Sequence, residues 1–203
     1  MGLLADFKTA AVARTRFPDD ERLTQAAIFA LVRDMPFARP SGIQPRTIVT
    51  EWQATAPGKH LLLQALYEEF GGGAMLICAL HSFRAEELPW LPDELRAHLE
   101  AGPIPDVHMF LRLRVDTDWM TIDATWPLAA GQRGLVVNER FETSRDMKVA
   151  IEPDEIMHIP PEADPVEFEQ LLIERHVGDQ LERRNAFLDA LSVWLAQAAL
   201  ATG

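Results

Sequence analysis

Two residues stand out for the chemistry they could perform together: His108 and Asp123, fifteen positions apart in HMFLRLRVDTDWMTIDATW, residues 108–126. An imidazole beside a carboxylate is held in one tautomer and stabilised when it takes a proton. A base needs both to activate a nucleophile and later protonate a leaving group. Whether the two meet is a matter of strand parity. Val107, Met109, Leu111, Leu113 and Val115 fall on one parity, and His108, Phe110, Arg112 and Arg114 on the other. Met120, Ile122 and Ala124 alternate with Trp119, Thr121, Asp123 and Thr125, and Asp116-Thr117 supplies a polar turn. An antiparallel hairpin with an even loop opposes Val115 to Asp118 and Phe110 to Asp123, which sets His108 diagonally beside Asp123. An odd loop puts them on opposite faces. Because Thr is unfavourable at a left-handed turn position, a four-residue loop is an alternative that keeps the parity. The plainer reading is a half-exposed sheet whose polar face carries both residues without a shared role.

The rest of the chain must supply the scaffold. Its 203 residues, 48% hydrophobic and 25% charged, suit a single globular domain with one large core. A net charge of −12 argues against nucleic acid and against an anionic membrane surface. No apolar run approaches the roughly 18 residues of a membrane span. Gly2 follows Met1, but Asp6 stands where a myristoylation signal wants Ser or Thr. Cys78 is the only cysteine, which excludes an intrachain disulfide and multi-cysteine metal sites and makes the cytoplasm the simplest compartment.

In chain order, the spacing predicts helices over residues 3–15 and about 19–33, the second opened by Pro18-Asp19-Asp20-Glu21. Residues 35–45, with Pro36 and Pro40, read as an ordered connection, and 46–52 gives no clear signal. Thr55 can cap a helix with Pro57 in its first turn and Leu61, Leu62, Ala65, Leu66 and Phe70 along its apolar stripe. Gly71-Gly72-Gly73 then ends the helix; a phosphate cradle would lead from a strand into a helix, the reverse of the order here. Ala74 to Leu80 is a near-continuous apolar strand in which Cys78 is a buried small hydrophobe. Residues 84–105, rich in Pro and Trp, form an insertion with a short helix at 93–100, a candidate lid or rim. His81, His98, His108 and Asp106 fit no metal-ligand spacing. Leu135 to Asn138, Val149 to Ile151 and Ile156 to Ile159 read as short strands. Asp164-Pro165 opens a C-terminal helical segment, about 164–200, whose final stripe is Leu181, Phe187, Leu188, Leu191, Trp194, Leu195 and Ala198. That stripe belongs to the core, with a homodimer contact as the second reading. The fold class is therefore α+β: a small antiparallel sheet packed against a central helix, with flanking N- and C-terminal helices.

A helix opened by a small-residue turn, then a strand, then a hairpin with His in one arm and Asp in the next, resembles the core of the transglutaminase-like superfamily. The resemblance covers roughly residues 45–127, about two-fifths of the chain. Ala54-Thr55-Ala56-Pro57-Gly58-Lys59-His60 is similar to the family's Gly-Thr-Cys-Ser-x-Lys-His helix start, and Trp119 to Trp126 resembles its W-x-x-x-D-x-T-W segment. The resemblance implies that His108 is the base, Asp123 its orienting carboxylate and position 56 the nucleophile, with no cofactor and no metal. Trp52 and Gln53 are the side-chain candidates for oxyanion or substrate binding. The departure is Ala56: a methyl group cannot attack a carbonyl, and neither Thr55 nor Cys78 is placed to replace a thiol.

Three functional classes follow. In the first, the chain is a cysteine-type acyl-transfer protein, for hydrolysis, amide formation or transamidation, inactive with alanine where an active parent has cysteine. In the second, it is a naturally silent module that binds a peptide, a carrier-bound acyl group or a small amide. In the third, it is a scaffold in which His108 and Asp123 are residual.

Overall fold

The structure, a computed structural model, describes residues 2–201; Met1, Thr202, Gly203 and the side chains of residues 198–201, Ala198 included, lie outside the described residues. Helix α1, Leu3–Ala13, buries Leu3, Phe7 and Ala11, a spacing that lies on one helical face. Helix α2 spans Gln25–Arg33, not 19–33. Pro18 to Glu21 begin no helix; the start falls where Thr24 Oγ1 accepts the Ala27 N–H at 3.1 Å. A side chain that satisfies an orphan amide fixes a start more firmly than a run of carboxylates that does not reach one. Residues 46–52 prove mostly helical, as α3, Pro45–Glu51, which Trp52 ends in the left-handed region at φ 56°.

Helix α4, Ala56–Glu69, has Thr55 as its N-cap, although the Thr55 side chain makes no capping bond. It ends at Phe70, after which Gly71 takes φ 96° and the Gly72 N–H closes on the Tyr67 carbonyl at 2.8 Å, a conformation that glycine adopts without strain. Strands β1, Gly73–Phe83; β2, Ile104–Val115; β3, Asp118–Ile122; and β4, Glu155–His158, form one antiparallel sheet in the order β3-β2-β1-β4. Leu62, Leu63 and Leu66 of α4 share one core with Leu76, Cys78, Met109, Leu111 and Leu113. The opposite parity, Ile77, Ala79 and Phe110, meets Val149 and Ile151. The hairpin turn is the two-residue Asp116-Thr117, with Val115 opposite Asp118; Asp116 rather than Thr117 takes positive φ, at 53°.

At the outer edge of β3, Thr121 N–H donates to Asp146 Oδ1 at 2.5 Å and its carbonyl accepts from Met147 N–H at 3.0 Å. Leu135 to Asn138 and Val149 to Ile151 are not strands. Side-chain bonds stand here in place of a ladder: the Asn138 side chain bonds Asp123 O and both Lys148 backbone groups, the Asn138 carbonyl accepts from Arg33 Nη1, and Ala150 N–H donates to Asp123 Oδ2.

Helix α5, Asp93–Arg96, continues as a 3-10 turn to Leu99. Helix α6, Pro165–His176, is capped by Asp164 Oδ1, which accepts from Val166 and Glu167 N–H. Helix α7 runs Leu181–Ala201. Its Phe187, Leu191 and Leu195 bury against Leu91, Leu95 and Leu99 of the 84–105 insertion, so the apolar stripe is spent within the chain, while Leu181 stands 39% exposed. No helix of the described residues is long and apolar enough to cross a membrane.

Candidate functional site

Register places Phe110 opposite Asp123, one step beyond the last ladder pair Leu111 to Ile122, and this brings His108 onto Asp123 from the diagonal. His108 Nε2–H donates to Asp123 Oδ2 at 2.8 Å, both residues buried, which leaves Nδ1 as the basic nitrogen. Asp123 also accepts from Ala150 N–H at 2.8 Å and, through Oδ1, from Thr125 N–H at 2.9 Å. Burial opposes ionisation here, but His108 and the Thr125 bond outweigh it and hold the carboxyl well below the usual range. The pair is thus an imidazole bonded to an ionised carboxylate.

The first two turns of α4 meet this pair through two residues whose roles sequence reasoning missed. His60 Nδ1–H donates to Ala56 O at 2.8 Å, and its Nε2 accepts from Ala124 N–H at 3.0 Å. An amide pointing at Nε2 requires a lone pair there, so His60 is neutral; burial drives its pKa down to about 4. Lys59, fully buried, donates from Nζ to Arg33 O at 2.7 Å and Thr125 O at 3.0 Å, and burial pushes it down to about 7, partly offset by Asp34 and Asp123. The two side chains tie the helix start to the segment that follows β3. They are the last two residues of the helix-start stretch Ala54 to His60, and that position was the signal available for them.

Ala56, Thr55, His108, Thr125 and Trp126 line one cavity of about 260 Å³. Thr125 Oγ1 and Trp126 Nε1 are buried without a hydrogen-bond partner among the described residues. The other walls come from Phe37, Arg39 and Ile43 of the 35–45 connection and from Glu169, Arg184 and Leu188 of α6 and α7. Residues 84–105 do not line it; they pack under α7 instead of forming its lid or rim. Trp52 stacks on Phe7 at 5.4 Å with Arg14 over its ring, and Gln53 Nε2 donates to Arg39 O. Neither faces the cavity, because the left-handed turn at Trp52 sends its indole into the core.

His81, on β1, lines the same cavity, its Nε2 3.6 Å from Asp106 Oδ2 and its ring 6.3 Å from that of His108. His98 is elsewhere, edge-on to Phe187. No group of three or more His, Cys, Asp or Glu able to hold a metal occurs among the described residues. Cys78 is buried in the strand and burial pushes its thiol up to about 12, far from nucleophilic. The arrangement can accept and return a proton at His108, and the residue at position 56 of the same cavity wall carries only a methyl group. Comparison with family models, with curated proteins and with solved structures returns no match.

Proposed function

We propose that this chain is a transglutaminase-like protein built to the plan of a cysteine acyl transferase, with Ala56 in the nucleophile's seat. Its cavity then binds an acyl- or amide-bearing ligand without forming a covalent bond to it. The ligand is a peptide segment, a carrier-bound acyl group or a small amide, met in the cytoplasm. The observation that carries this reading is the position of Ala56 in the first turn of α4, in the wall of a cavity that His108, bonded to Asp123, also lines. A helix start is where a thiol's pKa is lowered, and an imidazole nitrogen on the same cavity is where its proton would go.

The test restores the sulfur. Ala56→Cys is exposed to iodoacetamide at pH 7, with the unsubstituted chain as blank, since its one thiol, Cys78, is inert. Alkylation at position 56 should run at least about tenfold faster than at Cys78, and adding His108→Ala should slow it. A folded Ala56→Cys protein that stays unmodified at position 56, or is modified equally fast without His108, overturns the reading.

A further inference from the structure

At the end of the cavity formed by α6 and α7, one carboxyl has no hydrogen-bond or ion-pair partner among the described residues. Glu169, on α6, is 5% exposed and lines the cavity, yet no hydrogen bond or ion pair reaches it from the described residues. The nearest cation is taken: Arg184 Nε, on α7, is 2.5 Å from Asp106 Oδ1, and Asp106 has His81 on its other oxygen. A carboxyl buried beside a satisfied carboxylate can be accommodated in two ways, by keeping its proton or by receiving a positive charge from outside. The free chain uses the first. Burial, reinforced by Asp106 and only partly relieved by Arg184, pushes Glu169 up to about 8, so it is mostly protonated at pH 7.

We propose that Glu169, with Asp106 beside it, forms a subsite of this cavity that takes the single positive charge of a ligand, a primary ammonium. The ammonium replaces the proton: Glu169 loses H⁺ to solvent, and the ligand's N–H groups donate to the carboxylate it leaves. Other ionisable groups around Glu169 do not supply that charge. Cys78 on β1 stays a neutral thiol, and His108 on β2 is committed to Asp123. Arg39 and Asp189 also line the cavity, but both are exposed, so water screens their charges from Glu169. The chain's net charge of −12 adds a long-range pull on any cation. A neutral amide could also accept from a protonated Glu169, but it would leave the proton in place. This inference rests on charge balance and stands apart from the acyl-transfer reading.

The probe is n-butylammonium, which stays charged below about pH 10, with N-methylacetamide as the neutral control. In the intact chain, carboxyl carbon NMR should find Glu169 titrating near pH 8, falling by about a unit or more under saturating n-butylammonium. Its affinity should be about tenfold higher at pH 9 than at pH 7, since ionisation of Glu169 no longer opposes binding. Glu169→Gln should abolish that pH dependence. An unchanged Glu169 titration in the presence of n-butylammonium overturns the proposal. So does binding of N-methylacetamide at equal affinity, or an undiminished pH dependence in Glu169→Gln. The first measurement needs no variant, so a misfolded substitution leaves the test intact.

Discussion

The backbone N–H of Ala124 donates to Nε2 of His60 at 3.0 Å, joining the second turn of α4 to the residue that follows Asp123. With Nδ1 bonded to Ala56 O, the one imidazole holds both ends of the site in register.

His60→Ala removes both bonds from a fully buried position, leaving the Ala124 amide unmatched beside a void, while Ala56 O keeps its place in the helix ladder. The expected loss is roughly 3 to 5 kcal/mol. Urea denaturation at pH 7 measures it; a midpoint within error of the parent's would show that His60 is a bystander. Its pKa of about 4, against an ordinary 6.5, gives stability that is present above 6.5 and lost as pH falls towards 4. The variant should lack that acid sensitivity.

Lys59 titrates near 7 in the folded chain against an ordinary 10.5, so the folded state holds fewer protons than the unfolded one between those values. Its contribution is fully present above 10.5 and is lost as pH falls to 7. The parent should therefore gain stability relative to Lys59→Met on going from pH 7 to pH 9. Parallel stability profiles for the two proteins would count against the burial of this amine.

Asp123→Asn turns part of a triple acceptor into a donor that faces Nε2–H of His108 or an amide. A cost of about 3 to 5 kcal/mol is expected near neutrality. The Asp123 carboxyl lies well below its ordinary 3.8, so its stabilisation is present above that value and disappears as pH falls beneath it. Thermal melts of parent and variant should converge in strong acid; a constant gap down to pH 2 would refute the assignment.

Leu191→Ala, at a position 2% exposed against the insertion, should cost roughly 2 to 4 kcal/mol and leave the solution mass unchanged. If the mass falls by half instead, the α7 stripe serves an intermolecular contact.

How much of this was legible in the sequence divides along a physical line. The hairpin was readable because side chains alternate with a period of two, and an even turn then dictates that His108 meets Asp123. The α4 stripe and its glycine stop were readable for similarly local reasons. The start of α2 was misplaced because Thr24, a single capping oxygen, decided it. Leu135 to Asn138 and Val149 to Ile151 have strand-like composition, yet the Asn138 side chain bonds Asp123 O and the Lys148 backbone, and the Ala150 N–H donates to the Asp123 carboxylate. No local pattern announces those bonds. The cavity's far wall, with Glu169 and Arg184, depends on how two C-terminal helices return across the sheet, and no residue spacing encodes that return.

The bonds along the free side of β3 have a consequence for how this protein behaves in crowded solution. Asp146 and Met147 occupy the outward amide and carbonyl of Thr121, the very groups through which a neighbouring polypeptide would zip onto the sheet. A chain that hides its template in this way resists fibre-like growth from that side, and truncating Asp146 to alanine would open a seam for it.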